Sequence, residues 1–119
     1  MAKIRPIDMT TIDQILGMES GYVLDFSDRT FAEFFAGELN IDINDDAYYA
    51  EGNSKAKRLR YFLKQADTDL TVRTLRALWD YREARRQQRD TGETVVNAQG
   101  RLLDIIERLT GAKPSIEPV

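Results

Sequence analysis

Apolar residues in this chain recur mostly three and four positions apart, the period of a helix that buries one face. Ile12, Ile15 and Leu16 share such a face and predict a first helix over about 11–18. Asp8 or Thr10 is placed to cap it, and Gly17 and Gly21 bracket its end. The run 22–26, Tyr-Val-Leu-Asp-Phe, alternates large apolar residues and predicts one short extended segment. Ser27 then reads as an N-cap, with Asp28 in the first turn where the helix dipole favours an acid. Phe31, Phe34, Phe35 and Leu39 form the stripe of a second helix that Asn40 ends. Residues 41–52 are a polar, acidic connector carrying Tyr48 and Tyr49.

Ser54 is placed to cap a third helix over 54–66, with Ala56, Leu59, Phe62 and Leu63 inward. Asp67 or Asp69 caps a fourth, longest helix that runs to about Arg89 and buries Val72, Leu75, Leu78 and Trp79. Its last turns, from Arg82 to Arg89, lie beyond the last large apolar residue and are expected to be solvated or to await a partner. Thr91-Gly92 breaks it, and Asn97 caps a fifth helix with Leu102, Leu103, Ile105, Ile106 and Leu109 inward. Gly111 and Pro114 stop that helix, leaving 112–119 as a tail. The expected architecture is all-α: one domain over 1–119, a small bundle of about five helices with one short extended segment.

The chain has 119 residues, 42% hydrophobic and 31% charged, enough for one modest core. No apolar run approaches the roughly 20 residues that span a bilayer. Positions 1–7 carry Lys3 and Arg5 but no apolar h-region. Cysteine and histidine are both absent. Thiolate chemistry, Ser-His-Asp hydrolysis and histidine-dependent zinc or ribonuclease chemistry are therefore excluded for this chain. These absences fit a cytoplasmic protein. The remaining groups (carboxylates, Lys, Tyr, Ser) show no pattern that gathers them in a cleft, so the sequence names no catalytic, cofactor or metal residue. Charge is polarised along the chain. Residues 8–51 carry eleven acids and one base, whereas 52–90 carry eleven bases and five acids. Such asymmetry predicts either one acidic and one basic face or mutual attraction of the two halves inside the fold.

Four constellations bear on function. Asp42-x-Asn44-x-Asp46 offers oxygen ligands at calcium-loop spacing, but Ala47 and Asn53 stand where such a loop needs its Gly and its bidentate Glu. It reads as an acidic turn. The helices 54–66 and 70–89 resemble a helix-turn-helix pair in which Arg73 and Arg76 would face nucleic acid. A pI of about 5.0 argues against that reading, because phosphate-binding domains are usually strongly basic. The aromatic residues fall at core spacing, except that Tyr48 and Tyr49 are adjacent, so one is expected to be exposed. Ser54-Lys55-x-Lys57-Arg58 places cations in a first helical turn, against the dipole, as if to face an acidic surface.

The stretch from Gly21 to Phe35, GYVLDFSDRTFAEFF, followed by GNSKAKRLRYFL from Gly52 to Leu63, resembles N-terminal segments of bacterial abortive-infection proteins. The likeness covers about residues 20–82. It implies a helical sensor or adaptor domain that accompanies a toxic effector domain, part of a phage-defence system. The Arg-and-His RNA cleavage common among those effectors transfers to no residue here, because the chain has no histidine. The expectation is thus a non-catalytic interaction module that binds a protein partner or a second copy of itself. Its expected surface is Lys55, Lys57 and Arg58 of the third helix with Arg82, Arg85, Arg86 and Arg89 of the fourth, flanked by Tyr48 and Tyr49. An acidic face, such as residues 42–51 of another copy, would complement it. The alternative is nucleic-acid binding through Arg73 and Arg76. No membrane and no small-molecule substrate are expected.

Overall fold

Five α-helices and the turns between them account for residues 3–111, which the computed structural model describes. In chain order they are α1 (Pro6–Ile15), α2 (Asp28–Phe34), α3 (Lys55–Gln65), α4 (Thr68–Arg89) and α5 (Ala98–Thr110). Short 3-10 turns sit at Glu19–Gly21 and Asp46–Tyr48, and α2 runs on into a wider π-helical turn at Phe35–Leu39. No strand occurs among the described residues. The expected tail, 112–119, lies outside them. No helix is long and apolar enough to cross a membrane. α4 packs against α5 and against the π-turn, α5 against α1, and α3 against both 3-10 turns.

Most helix ends lie where capping chemistry puts them. Ser27 Oγ accepts the Thr30 N–H at 3.1 Å while Thr30 Oγ1 accepts the Ser27 N–H at 2.9 Å. Ser54 and Asp67 cap α3 and α4 by accepting the N–H groups of Lys57 and Leu70. Asn40 closes the π-turn after α2, and Asp90 and Gly111 close α4 and α5, all in the left-handed conformation. The first helix differs from its expected 11–18 span. It begins at Pro6, a residue suited to a first helical position, and ends at Ile15. Asp8 is not its cap but a buried acid in its first turn, accepting the Arg5 N–H at 2.9 Å.

The segment expected to be extended is interrupted. Leu24 adopts φ 48° and sends its N–H to the Leu16 carbonyl at 2.7 Å, so 22–26 turns rather than runs straight. This tucks Val23 and Phe26 into the core. Phe31, Phe35 and Phe62 are fully buried at its centre, each burial contributing roughly 2–3 kcal/mol. Edge-to-face contacts link Phe31 to Phe35 at 5.0 Å and Phe35 to Phe62 at 5.3 Å, and Tyr81 stacks on Phe26 at 4.3 Å. On α4 the buried stripe is Thr71, Thr74, Leu75, Leu78 and Arg82, while Val72 and Trp79 are only half-buried. On α5, Leu103 lies outward at 39% exposure, and Ala98, Leu102, Ile105, Ile106 and Leu109 form the inward face.

Candidate functional site

The cations of α3 are largely spent inside the chain. Arg58 was expected on the surface but is 3% exposed. Its guanidinium donates to the Asn53 carbonyl at 3.1 Å, to Asn44 Oδ1 at 2.7 Å and to Asp28 Oδ1 at 3.4 Å. It also lies over the rings of Phe31 and Tyr49. Lys55 sits 3.6 Å from Asp28 and over the exposed Tyr22 ring. Arg60 clasps Asp13 through two 3.2 Å bonds, and Lys64 reaches Glu51 at 2.9 Å. Neither tyrosine of the pair is presented freely. Tyr48 packs edge-on against Phe62, and Tyr49 lies beneath Arg58. In the acidic connector, Asp42 accepts the Asn44 N–H, so this motif shapes the turn that offers Asn44 to Arg58. Of the three α3 cations expected at the surface, Lys57 is exposed and has no ion pair among the described residues.

The arginine-rich end of α4 corrects the sequence expectation more sharply. Arg82 continues the buried stripe and is 6% exposed. Its Nε donates to the Ile15 carbonyl at 2.9 Å. Its two terminal nitrogens grip Glu93 at 2.8 and 2.6 Å, and one of them also reaches Glu83 at 2.7 Å. The guanidinium lies 4.8 Å from the Trp79 ring centre. Arg86 donates to Glu83 and to the Thr91 carbonyl. Arg85 and Arg89 both turn to Asp25, which also accepts the Tyr81 hydroxyl at 2.8 Å. The charges expected to wait for a partner are therefore engaged within the chain.

The electrostatics follow from this geometry. The Arg82 hydrogen bonds hold the Glu93 carboxyl at about 2, against its ordinary 4.5, outweighing a burial effect of opposite sign. Glu83 is lowered chiefly by Arg86, and Arg82 is raised chiefly by Glu93. Burial alone would raise Asp25, but Tyr81, Arg85 and Arg89 together hold it below its usual value. Burial and the Asp25 carboxylate push Tyr81 up. Burial would likewise raise Asp8, yet the Arg5 N–H and the Arg5 and Arg108 guanidinia lower it. Sequence reasoning missed Asp8, Asp25, Tyr81, Glu83 and Glu93. Two of them carried a local signal: Asp8, three residues after Arg5, and Glu83, three residues before Arg86 on one helix.

Arg73 and Arg76 remain exposed on the first half of α4, with no ion pair among the described residues. Beside Arg76 runs a shallow groove of about 260 Å³ between α4 and α5, lined by Arg76, Trp79, Asp80, Gln99, Leu102, Leu103 and Ile106. A second recess of about 360 Å³ borders the arginine-rich end, where Arg82, Arg85, Arg86 and Arg89 meet the loop after α4. A wider cleft of about 700 Å³ has Lys57, Arg60 and Arg101 on its walls. There Arg60 is held by Asp13 and Arg101 by Gln14. Among the described residues no group of acids is placed to hold a metal ion. Comparison with family models, with curated proteins and with solved structures finds no match.

Proposed function

We propose that the chain is a non-catalytic protein–protein interaction module, an adaptor or sensor, that pairs with a second copy of itself across the α4–α5 face. The observation that carries this reading is the contrast in how cations are used. Arginines on the rest of α4 are neutralised within the chain, whereas Arg73 and Arg76 are not, and Arg76 lines one groove with the half-buried Trp79 and the exposed Leu103. Arg and Trp are the residues that most often carry binding energy at interfaces. The same face also bears an exposed acid, Asp80 on the groove. A two-fold pairing would set Arg76 of each copy against an acid of the other, so the face complements itself. The connector 42–51 is a poorer complement, because Asn44 and Glu51 are committed to Arg58 and Lys64. The likeness of residues 20–82 to helical abortive-infection domains would make this the regulatory part of a bacterial defence system, acting in the cytoplasm beside an effector that supplies the toxic chemistry.

Size-exclusion chromatography with light scattering tests the proposal, with the 260/280 nm absorbance ratio recorded on the same peak. A concentration-dependent dimer with a protein-like ratio is expected, and Leu103→Glu should return it to a monomer. A clean wild-type monomer at high concentration would refute self-pairing. Nucleic acid that co-purifies and is lost on Arg73→Glu with Arg76→Glu would replace this reading with the nucleic-acid one.

A further inference from the structure

The loop from α4 to α5 is exposed at Thr91, Gly92, Glu93, Thr94 and Val96 and packs Val95 against the core, yet one of its exposed side chains reaches back to a buried arginine. That side chain is Glu93, which forms a two-pronged ion pair with Arg82 and accepts the Val95 N–H at 2.9 Å. The recess beside this pair is lined by Arg82, Arg85, Arg86 and Arg89, by Asp25, which holds Arg85 and Arg89, and by Leu24 and Tyr81 as apolar walls. Glu93 is thus a carboxylate presented on a short tether to an arginine-lined recess. A carboxylate on an extended backbone is the ligand chemistry such a recess selects, since the guanidinium fork matches it in two bonds. Glu93 is not sealed in. Its side chain is 33% exposed, so a carboxylate from solvent can approach the same fork; the loop's other holds are Val95 against the core and the Arg86 and Arg101 bonds to the Thr91 and Val96 carbonyls.

We infer that this recess is a binding site for an acidic segment of a partner protein, and that Glu93 is an internal stand-in which such a segment displaces. The loop 91–97 then works as a latch. In the closed state its glutamate holds Arg82; in the bound state a partner's Asp or Glu takes over the fork and the loop is released. A side chain on so short a tether competes at an effective concentration of about millimolar, so the latch sets a threshold that a single free carboxylate does not pass. A segment with several acids passes it by also competing with Asp25 for Arg85 and Arg89. The recess shares no lining residue with the α4–α5 groove, so the two surfaces can be tested apart.

The test uses the full chain and a fluorescein-labelled hexaglutamate peptide in low salt, read by fluorescence anisotropy. Glu93→Gln should bind the peptide at least about tenfold more tightly than the wild type, because the tethered competitor is gone. Arg85→Glu with Arg89→Glu should abolish binding, and Leu103→Glu should leave it unchanged. Hydrogen exchange on the wild type supplies an independent reading that survives even if Glu93→Gln fails to fold. Saturating peptide should raise exchange at 91–97. Equal affinity for a folded Glu93→Gln and the wild type, or binding without increased exchange in the loop, would overturn the inference.

Discussion

Arg82 stands where the spacing Thr71, Leu75, Leu78 asks α4 for another leucine. Burying a guanidinium there is tolerable only because its donors find the Ile15 carbonyl, Glu83 and Glu93. Removing one side of such an arrangement costs more than replacing both. Arg82→Met should therefore destabilise by about 3 kcal/mol, and adding Glu93→Gln to it should cost less than the sum of the two single changes. Urea denaturation of the four proteins in that cycle reads the coupling directly; strict additivity would show that the pair is incidental. A second residue works the other way. Asp90 closes α4 at φ 55°, an unfavourable backbone for a residue with a Cβ, and it puts a negative charge at the negative end of the helix dipole. Asp90→Gly should raise stability by about 0.5–1 kcal/mol, visible as a higher melting temperature.

At the scale of elements, what could be read in the sequence was local. Ser27, Ser54 and Asp67 announce helix starts because capping is a contact between residues three apart. Ser54→Ala should accordingly cost about 1 kcal/mol, and a urea midpoint unmoved by that change would mean the cap is idle. The five helices and the aromatic core were legible for the same reason of short-range periodicity. The start of α1 was not, because its first turn breaks the pattern: Ile7 is 65% exposed while Asp8 is buried. Asp8 belongs inside because Arg108, on the last helix, comes back to join Arg5 around it. Two members of the expected surface, Arg58 and Arg82, are taken out of it by the same kind of event. Arg58 and Arg82 look like solvated cations in sequence and are buried by Asn44 and Glu93, partners that no helical spacing connects to them. Arg73 and Arg76, on the same helix as Arg82, met no such partner and so stayed at the surface.

For the whole molecule, the division of the chain into an acidic first half and a basic second half is resolved by folding one onto the other. Asp13, Asp25, Asp28 and Glu51 pair with Arg60, with Arg85 and Arg89, with Lys55 and Arg58, and with Lys64 respectively. The second expectation from charge polarity, attraction between the halves, is the one the fold realises. A structure tied together by acids held in the charged form has a definite response to pH. Asp8, Asp25, Glu83 and Glu93 all titrate lower in the folded chain than in the unfolded one. The unfolded chain therefore binds protons first as pH falls, and stability must fall with it. For Glu93 the contribution is complete above its ordinary 4.5 and is lost as pH drops toward about 2. Urea midpoints should thus hold steady near neutrality and decline through that acid window. Glu93→Gln should start lower at neutral pH and decline less steeply across the same window, because the group that withholds its proton is gone. Parallel declines for the two proteins would mean that Glu93 does not hold the loop in solution, and that the Arg82 fork is open to a partner without any latch to release.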